Sequence, residues 1–157
     1  MQALADTYLK ENLQQINQTV SLPEDTLQFG VAGNHQIKNT YHDSLATGIT
    51  AYNNQEFNTA LRYFQGVQKN HPDDKAVKKY TGLVYLHTKK YDQALQTFNE
   101  LARNPEIQNN PGFFLQAVTL MLRNQPHDKQ QAKQILQQVV ETQAEGNKEA
   151  AVWLEKL

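Results

Sequence analysis

The sequence predicts an all-α chain built from antiparallel helix pairs, and three observations carry that expectation. Gly48, Ala60, Phe64 and Val67 recur 34 positions later as Gly82, Ala94, Phe98 and Leu101. Apolar residues from Tyr41 onward return at the three- and four-residue intervals of a helix face. Each copy closes on a proline turn, Asn70-His71-Pro72 and Arg103-Asn104-Pro105, the second arriving one residue early.

Taken in chain order, residues 1–40 stand outside the period. Ala5, Leu9, Leu13 and Ile16, with Tyr8 beside them, predict an amphipathic helix. From Val20 to Asn39 no helix is expected, because Pro23, Gly30 and Gly33 interrupt it. Leu27, Phe29, Val31 and Ile37 argue against pure disorder there, so the stretch reads as a linker or functional segment. Thr40 with Asp43 reads as the cap that opens the first pair.

The first two pairs are expected over about 41–74 and 75–108. Gly48 and Gly82 fall mid-helix, where glycine costs about 1 kcal/mol relative to alanine. That cost is tolerable if the missing side chain lets the helix carrying Ala60 or Ala94 approach, with Phe64 or Phe98 filling the groove beside them. Phe57 matches Tyr91 in the same register, and Tyr63 matches Thr97 less well.

A stretched third copy is expected over 110–146. Asn110-Pro111 supplies a helix start, and Phe113, Phe114, Ala117, Leu120 and Met121 an apolar face. Ala117 to Ala132 spans 15 residues where Gly82 to Ala94 spans 12, so the turn from Arg123 to His127 is longer. Asp128 with Gln131 reads as a capping box for a helix that buries Ala132, Ile135, Leu136 and Val139. A last helix, 147–157, carries Ala150, Trp153, Leu154 and Leu157 and caps the stack, which makes Trp153 a core residue first.

Composition excludes several functions. Lys plus Arg number 15 and Asp plus Glu 16, so no net field attracts nucleic acid or an anionic membrane. The chain has no cysteine, which removes disulfides, thiolate metal sites and cysteine nucleophiles. No stretch approaches the roughly 20 apolar residues of a membrane span, and Met1 to Asp6 has no signal-peptide pattern. The histidines, His35, His42, His71, His87 and His127, show no metal-ligand spacing. Phe29 to Gly33 with Lys38 lacks the Gly-Lys-Ser/Thr ending of a phosphate loop. No nucleophile elbow or paired-carboxylate motif stands out, so no catalytic residue, cofactor or metal is expected. Asn17-Gln18-Thr19 is formally a glycosylation acceptor, with no other sign of a secretory context. Lys75, Lys78, Lys79, Lys89 and Lys90 form a basic cluster, read as a solvated face with an acidic-peptide site as the sharper alternative.

The pattern Gly48, Tyr52, Ala60, Phe64, Pro72, repeated as Gly82, Tyr85, Ala94, Phe98, Pro105, resembles the tetratricopeptide repeat family. The tryptophan usual early in that repeat is replaced by Ser44 and Lys78. The resemblance implies a right-handed superhelix of about three repeats plus a capping helix, acting as a protein- or peptide-binding scaffold. It places a concave groove on Leu45, Ile49, Tyr52 and Asn53 of the first copy, Lys79, Leu83, Leu86 and His87 of the second, and Phe114, Val118, Met121 and Leu122 of the third. This lining is apolar and aromatic, suited to a helix or extended segment with hydrophobic anchors. It does not suit the family's carboxylate-clamp mode, because Leu45 and Ile49 stand where Lys and Asn are needed.

The competing expectation is that residues 1–40 fill this groove themselves. Two further classes stay open: a helical-repeat enzyme or regulatory domain whose site needs residues of a larger protein, and weak self-association through an exposed repeat end. A tail near Tyr8-Leu9-Lys10-Glu11-Asn12 followed by a short repeat domain is similar to the soluble parts of single-span Gram-negative repeat proteins. That likeness implies a membrane anchor before the tail and a periplasmic domain; without it the chain is expected in the cytoplasm.

Overall fold

The computed structural model describes residues 1–18, 40–104 and 109–157. The regular structure of these residues is all helical: α1 (Gln2–Asn12), α2 (Thr40–Asn53), α3 (Phe57–Asn70), α4 (Lys75–His87), α5 (Tyr91–Ala102), α6 (Gly112–Arg123), α7 (Asp128–Glu141) and α8 (Asn147–Lys156). From α2 to α8 each helix packs on the next, and α1 turns back onto α6. The irregular stretch 20–39 with its apolar residues, the glycine-rich run with Lys38, His35, Thr19 and the second turn's Pro105 lie outside the described residues, as does the side chain of Thr40.

The glycines at the repeat positions work through the phenylalanines. A Cβ on Gly48 would sit 2.6 Å from Phe64 Cε1, and one on Gly82 would sit 2.3 Å from Phe98 Cε1. Both rings and both partner alanines, Ala60 and Ala94, are fully buried. The space left by each glycine is therefore taken by an aromatic edge, and the two helices of the pair close onto it. In the third pair Ala117 and Leu136 stand at the corresponding positions, both with 0% exposure.

The turns inside the pairs are also periodic. Gln55 and Lys89, 34 residues apart, both adopt left-handed backbone, with φ of 63° and 57°. At the first turn Gln55 N–H donates to Tyr52 O and Glu56 N–H to Ala51 O; Lys89 and Lys90 repeat this on Leu86 and Tyr85. Gln143, with φ 52°, ends α7 the same way through Val140 and Val139. This is the Schellman ending, which satisfies helix carbonyls that the ladder leaves free.

Two polar side chains hold the longer connections. Asn110 Nδ2 donates to the carbonyls of Leu101 (2.8 Å), Ala102 (3.3 Å) and Asn104 (3.2 Å), while its Oδ1 accepts from Gly112 N–H at 2.8 Å. One carboxamide thus closes the end of α5 and the start of α6, where a Cβ on Gly112 would meet Ala102 N at 2.4 Å. Asp128 corrects the expected capping box: it makes no side-chain cap on α7. Its carboxylate instead takes Arg123 Nε (3.0 Å) and Nη2 (2.7 Å) and the Gln125 N–H (2.8 Å). Arg123 also reaches Asp92 of α5 at 2.8 Å. The bidentate charge-assisted pair outweighs a cap bond, and Arg123 holds the Asp128 carboxyl below the usual carboxylate range.

The glycine positions separate propensity from packing. Gly66→Ala, in α3 with nothing within 4 Å of the added Cβ, should gain about 0.5–1 kcal/mol from helix propensity. Gly82→Ala should instead lose about 1–3 kcal/mol, because the Phe98 ring cannot retreat. Urea unfolding of both variants measures the opposite signs.

Candidate functional site

The residues expected to line the groove come from the first helix of each pair, and residues 1–18 of the same chain lie against several of them. Tyr52, at the end of α2, is fully buried. Its hydroxyl donates to the carbonyl of Leu13 at 2.5 Å. His87, at the end of α4, places Nε2 at 2.9 Å from the same carbonyl. A carbonyl oxygen only accepts, so this nitrogen carries the proton and Nδ1 the lone pair. The imidazole stacks on Phe57 (4.8 Å between centroids, 11°) and meets Tyr52 edge-on at 5.4 Å.

Asn53 follows Tyr52 and reads the next part of the segment. Its Oδ1 accepts from Ile16 N–H at 2.8 Å and its Nδ2 donates to Ile16 O at 3.2 Å. Beyond it, the Tyr80 hydroxyl donates to Gln18 Oε1. Leu13 and Ile16 are 8% and 7% exposed, whereas Gln14, Gln15, Asn17 and Gln18 face solvent. The strap therefore presents backbone and two aliphatic side chains to the groove.

These contacts explain a departure from the expected N-terminal helix. Leu13 and Ile16 continue the apolar spacing of Ala5 and Leu9, yet α1 stops at Asn12. The Leu13 carbonyl and both backbone polar groups of Ile16 are taken by groove side chains, which replace the helical ladder. Upstream, Ala5 is fully buried, and Tyr8 meets Phe114 and Trp153 edge-on at 5.2 and 5.5 Å. Trp153 is 6% exposed and packs on Phe114 at 5.3 Å, a core position under α1. Gln2 Nε2 reaches the Leu122 carbonyl at 3.4 Å.

Of the other expected lining residues, Leu45, Ile49, Leu83, Leu86, Val118 and Met121 are buried in the core that includes Leu13 and Ile16. Lys79 stands apart, paired with Glu145 at 3.1 Å, and Lys78 pairs with Glu100 at 3.8 Å. Part of the basic cluster is thus matched by glutamates on other elements. Tyr80 was not among the expected lining residues, and neither was Asp74. That carboxylate caps α4 through Val77 N–H (2.9 Å) and accepts the Tyr41 hydroxyl (2.5 Å), tying the start of α2 to the start of α4.

Burial sets the protonation of the site. It pushes the hydroxyls of Tyr52 far up and of Tyr80 up to about 12, so both remain donors. It lowers the His87 pKa from 6.5, opposed by the bond to Leu13. No group of His, Asp or Glu among the described residues is arranged to hold a metal ion, and no described helix is long and apolar enough to cross a membrane.

The lowered His87 pKa has a direction that melting curves can read. Folding disfavours the charged imidazole, so its contribution is fully present above about pH 6.5 and is lost as pH falls toward the folded-state value. The melting temperature should therefore drop between about pH 7.5 and 5, and His87→Gln, which keeps an N–H donor, should remove that share of the drop.

Residues 45–110 match the family model described as Tetratricopeptide repeat, a span that takes in most of α2 and all of α3, α4 and α5. No curated protein and no solved structure matches the chain. The matched span, the 34-residue recurrence of glycine, alanine and phenylalanine, and the all-helical pairing agree that residues 45–110 are similar to tetratricopeptide repeats.

Proposed function

We propose that this chain is a non-catalytic protein-interaction module whose concave face takes an extended polypeptide, and that its own residues 13–18 hold that place until a partner displaces them. Tetratricopeptide repeats generally mediate protein–protein contact and typically act as scaffolds, which supports the first part of the reading. The second part rests on one observation: the Asn53 carboxamide meets both the N–H and the C=O of Ile16. Such a contact recognises the backbone on either side of one residue, not a particular side chain. Any chain that brings an extended residue to that point offers the same two groups.

The alternative of a permanently filled groove, with the strap as plain core, is the competing outcome. Substitution of the strap separates the two, whereas Tyr52 and Leu86, at 0% and 1% exposure, are too deep to alter without damaging the fold. Leu13→Asp with Ile16→Asp should release the strap, losing up to about 1.5–3 kcal/mol per side chain, while the repeats stay helical. Fluorescence of an apolar dye should rise, and the immobilised variant should retain a protein that the parent chain does not. Adding Asn53→Ala should abolish that retention. A released strap with no gain in dye signal or retention would overturn the reading.

A further inference from the structure

We infer that the partner of this groove is an uncharged, non-helical segment, bent at its first anchor and extended at its second, carrying two aliphatic side chains three residues apart, a pattern for which Leu13-Gln14-Gln15-Ile16 is the internal copy. The inference rests on the proposed displacement of the strap and adds the chemistry of what displaces it.

Conformation follows from Asn53. Its two bonds go to the N–H and the C=O of one residue, Ile16, at 2.8 and 3.2 Å. These groups point to the same side only in extended backbone, as in the hydrogen-bonded pair of an antiparallel ladder. In a helix they point in opposite directions along the axis and are already used. A helical ligand cannot make this contact, so the lining selects a segment that is extended where it meets Asn53.

Side-chain pattern follows from burial. Leu13 and Ile16 are nearly enclosed, and the residues between them are exposed. Anchors are therefore required at the first and fourth positions, and the intervening positions are free. Charge follows from the donors. The side chains bonded to the strap are Tyr52, Asn53, Tyr80 and His87, which carries no charge while its pKa stays low, and Phe57 backs the imidazole. None of them would neutralise a carboxylate or ammonium placed at an anchor, and burying such a group unpaired is strongly unfavourable. The Leu13 carbonyl also needs no counterpart beyond a backbone oxygen, which any segment supplies.

The test uses the full chain with Leu13→Asp and Ile16→Asp, and as probe a labelled, end-blocked peptide of residues 12–18, Asn-Leu-Gln-Gln-Ile-Asn-Gln, followed by fluorescence anisotropy. The parent peptide should bind this variant at least roughly tenfold more tightly than it binds the unaltered chain, whose groove is occupied in cis. Replacing both peptide anchors by Ser, or the isoleucine by Lys, should weaken binding about tenfold or more, while Ser at the two glutamines should leave it within about twofold. Asn53→Ala in the variant should lower affinity about tenfold through the lost pair of bonds. Far-UV circular dichroism confirms that each chain is folded, and Ile16→Ser alone serves as a milder release if the double substitution unfolds. Equal binding of the anchor-free peptide, or selection for charged peptides, would overturn the inference. Dye binding by the released variant without uptake of the parent peptide would overturn the inference and leave the interaction-module reading standing. Loss of both signals would remove both.

Discussion

How closely the two helices of a pair can approach governs the array, and that distance is set by a phenylalanine edge lying on a glycine. With a Cβ at position 48 or 82, the ring of Phe64 or Phe98 would need to move, and both rings are fully enclosed. The contact brings α2 onto α3 and α4 onto α5 at matching heights, because glycine and ring are separated by the same number of residues in each copy. That regularity lets Tyr52 and Asn53 at the end of α2 and His87 at the end of α4 meet one short segment. Phe57, the first residue of α3 after the Schellman ending of α2, then backs the imidazole. These backbone contacts need this order, since hydrogen bonds weaken as distance and angle leave their preferred range.

The helix pairs were legible in the sequence because their cause is chemical and repeated. Glycine is costly inside a helix, so its return beside alanine and phenylalanine at one period marks a packing site. The turns were less legible. Gln55, Lys89 and Gln143 take a left-handed conformation that neither glutamine nor lysine advertises, and it is imposed by the helix-ending bonds around them. Asp128 was misread for a related reason. Its neighbour three positions on satisfies a local capping rule, but Arg123 lies five positions back and offers two charge-assisted bonds across the turn. Local patterns lose wherever a stronger partner is brought in by the fold.

The strap is the clearest case of tertiary structure overriding periodicity. Ala5, Leu9, Leu13 and Ile16 have helical spacing, and nothing in these residues forbids a longer α1. What stops it is the polar content of a mostly apolar groove. A fully buried tyrosine hydroxyl needs a partner, a half-buried imidazole N–H and carboxamide gain from one, and an intact helix has no free backbone groups to offer them along its middle. Unwinding after Asn12 frees the Leu13 carbonyl and the Ile16 peptide groups and keeps both aliphatic side chains inside. Sequence spacing identified which side chains would be buried. It could not identify the backbone conformation, because that depends on donors supplied from 37 to 74 residues away.

The proposed displacement of the strap rests on the same chemistry. Its hydrogen bonds run from groove side chains to main-chain atoms, apart from the Tyr80 contact with Gln18, and main-chain atoms are common to every polypeptide. What is particular to residues 13–18 is the pair of aliphatic side chains and the short tether to α1. The tether is itself anchored elsewhere, by Tyr8 between Phe114 and Trp153. The two halves of the N-terminal segment thus bind by different means: α1 by aromatic packing on α6 and α8, the strap by backbone recognition at α2 and α4. Release of the second does not require release of the first. Under the proposed displacement, an incoming segment would compete only with the strap's own local concentration, which is set by its attachment to a docked helix.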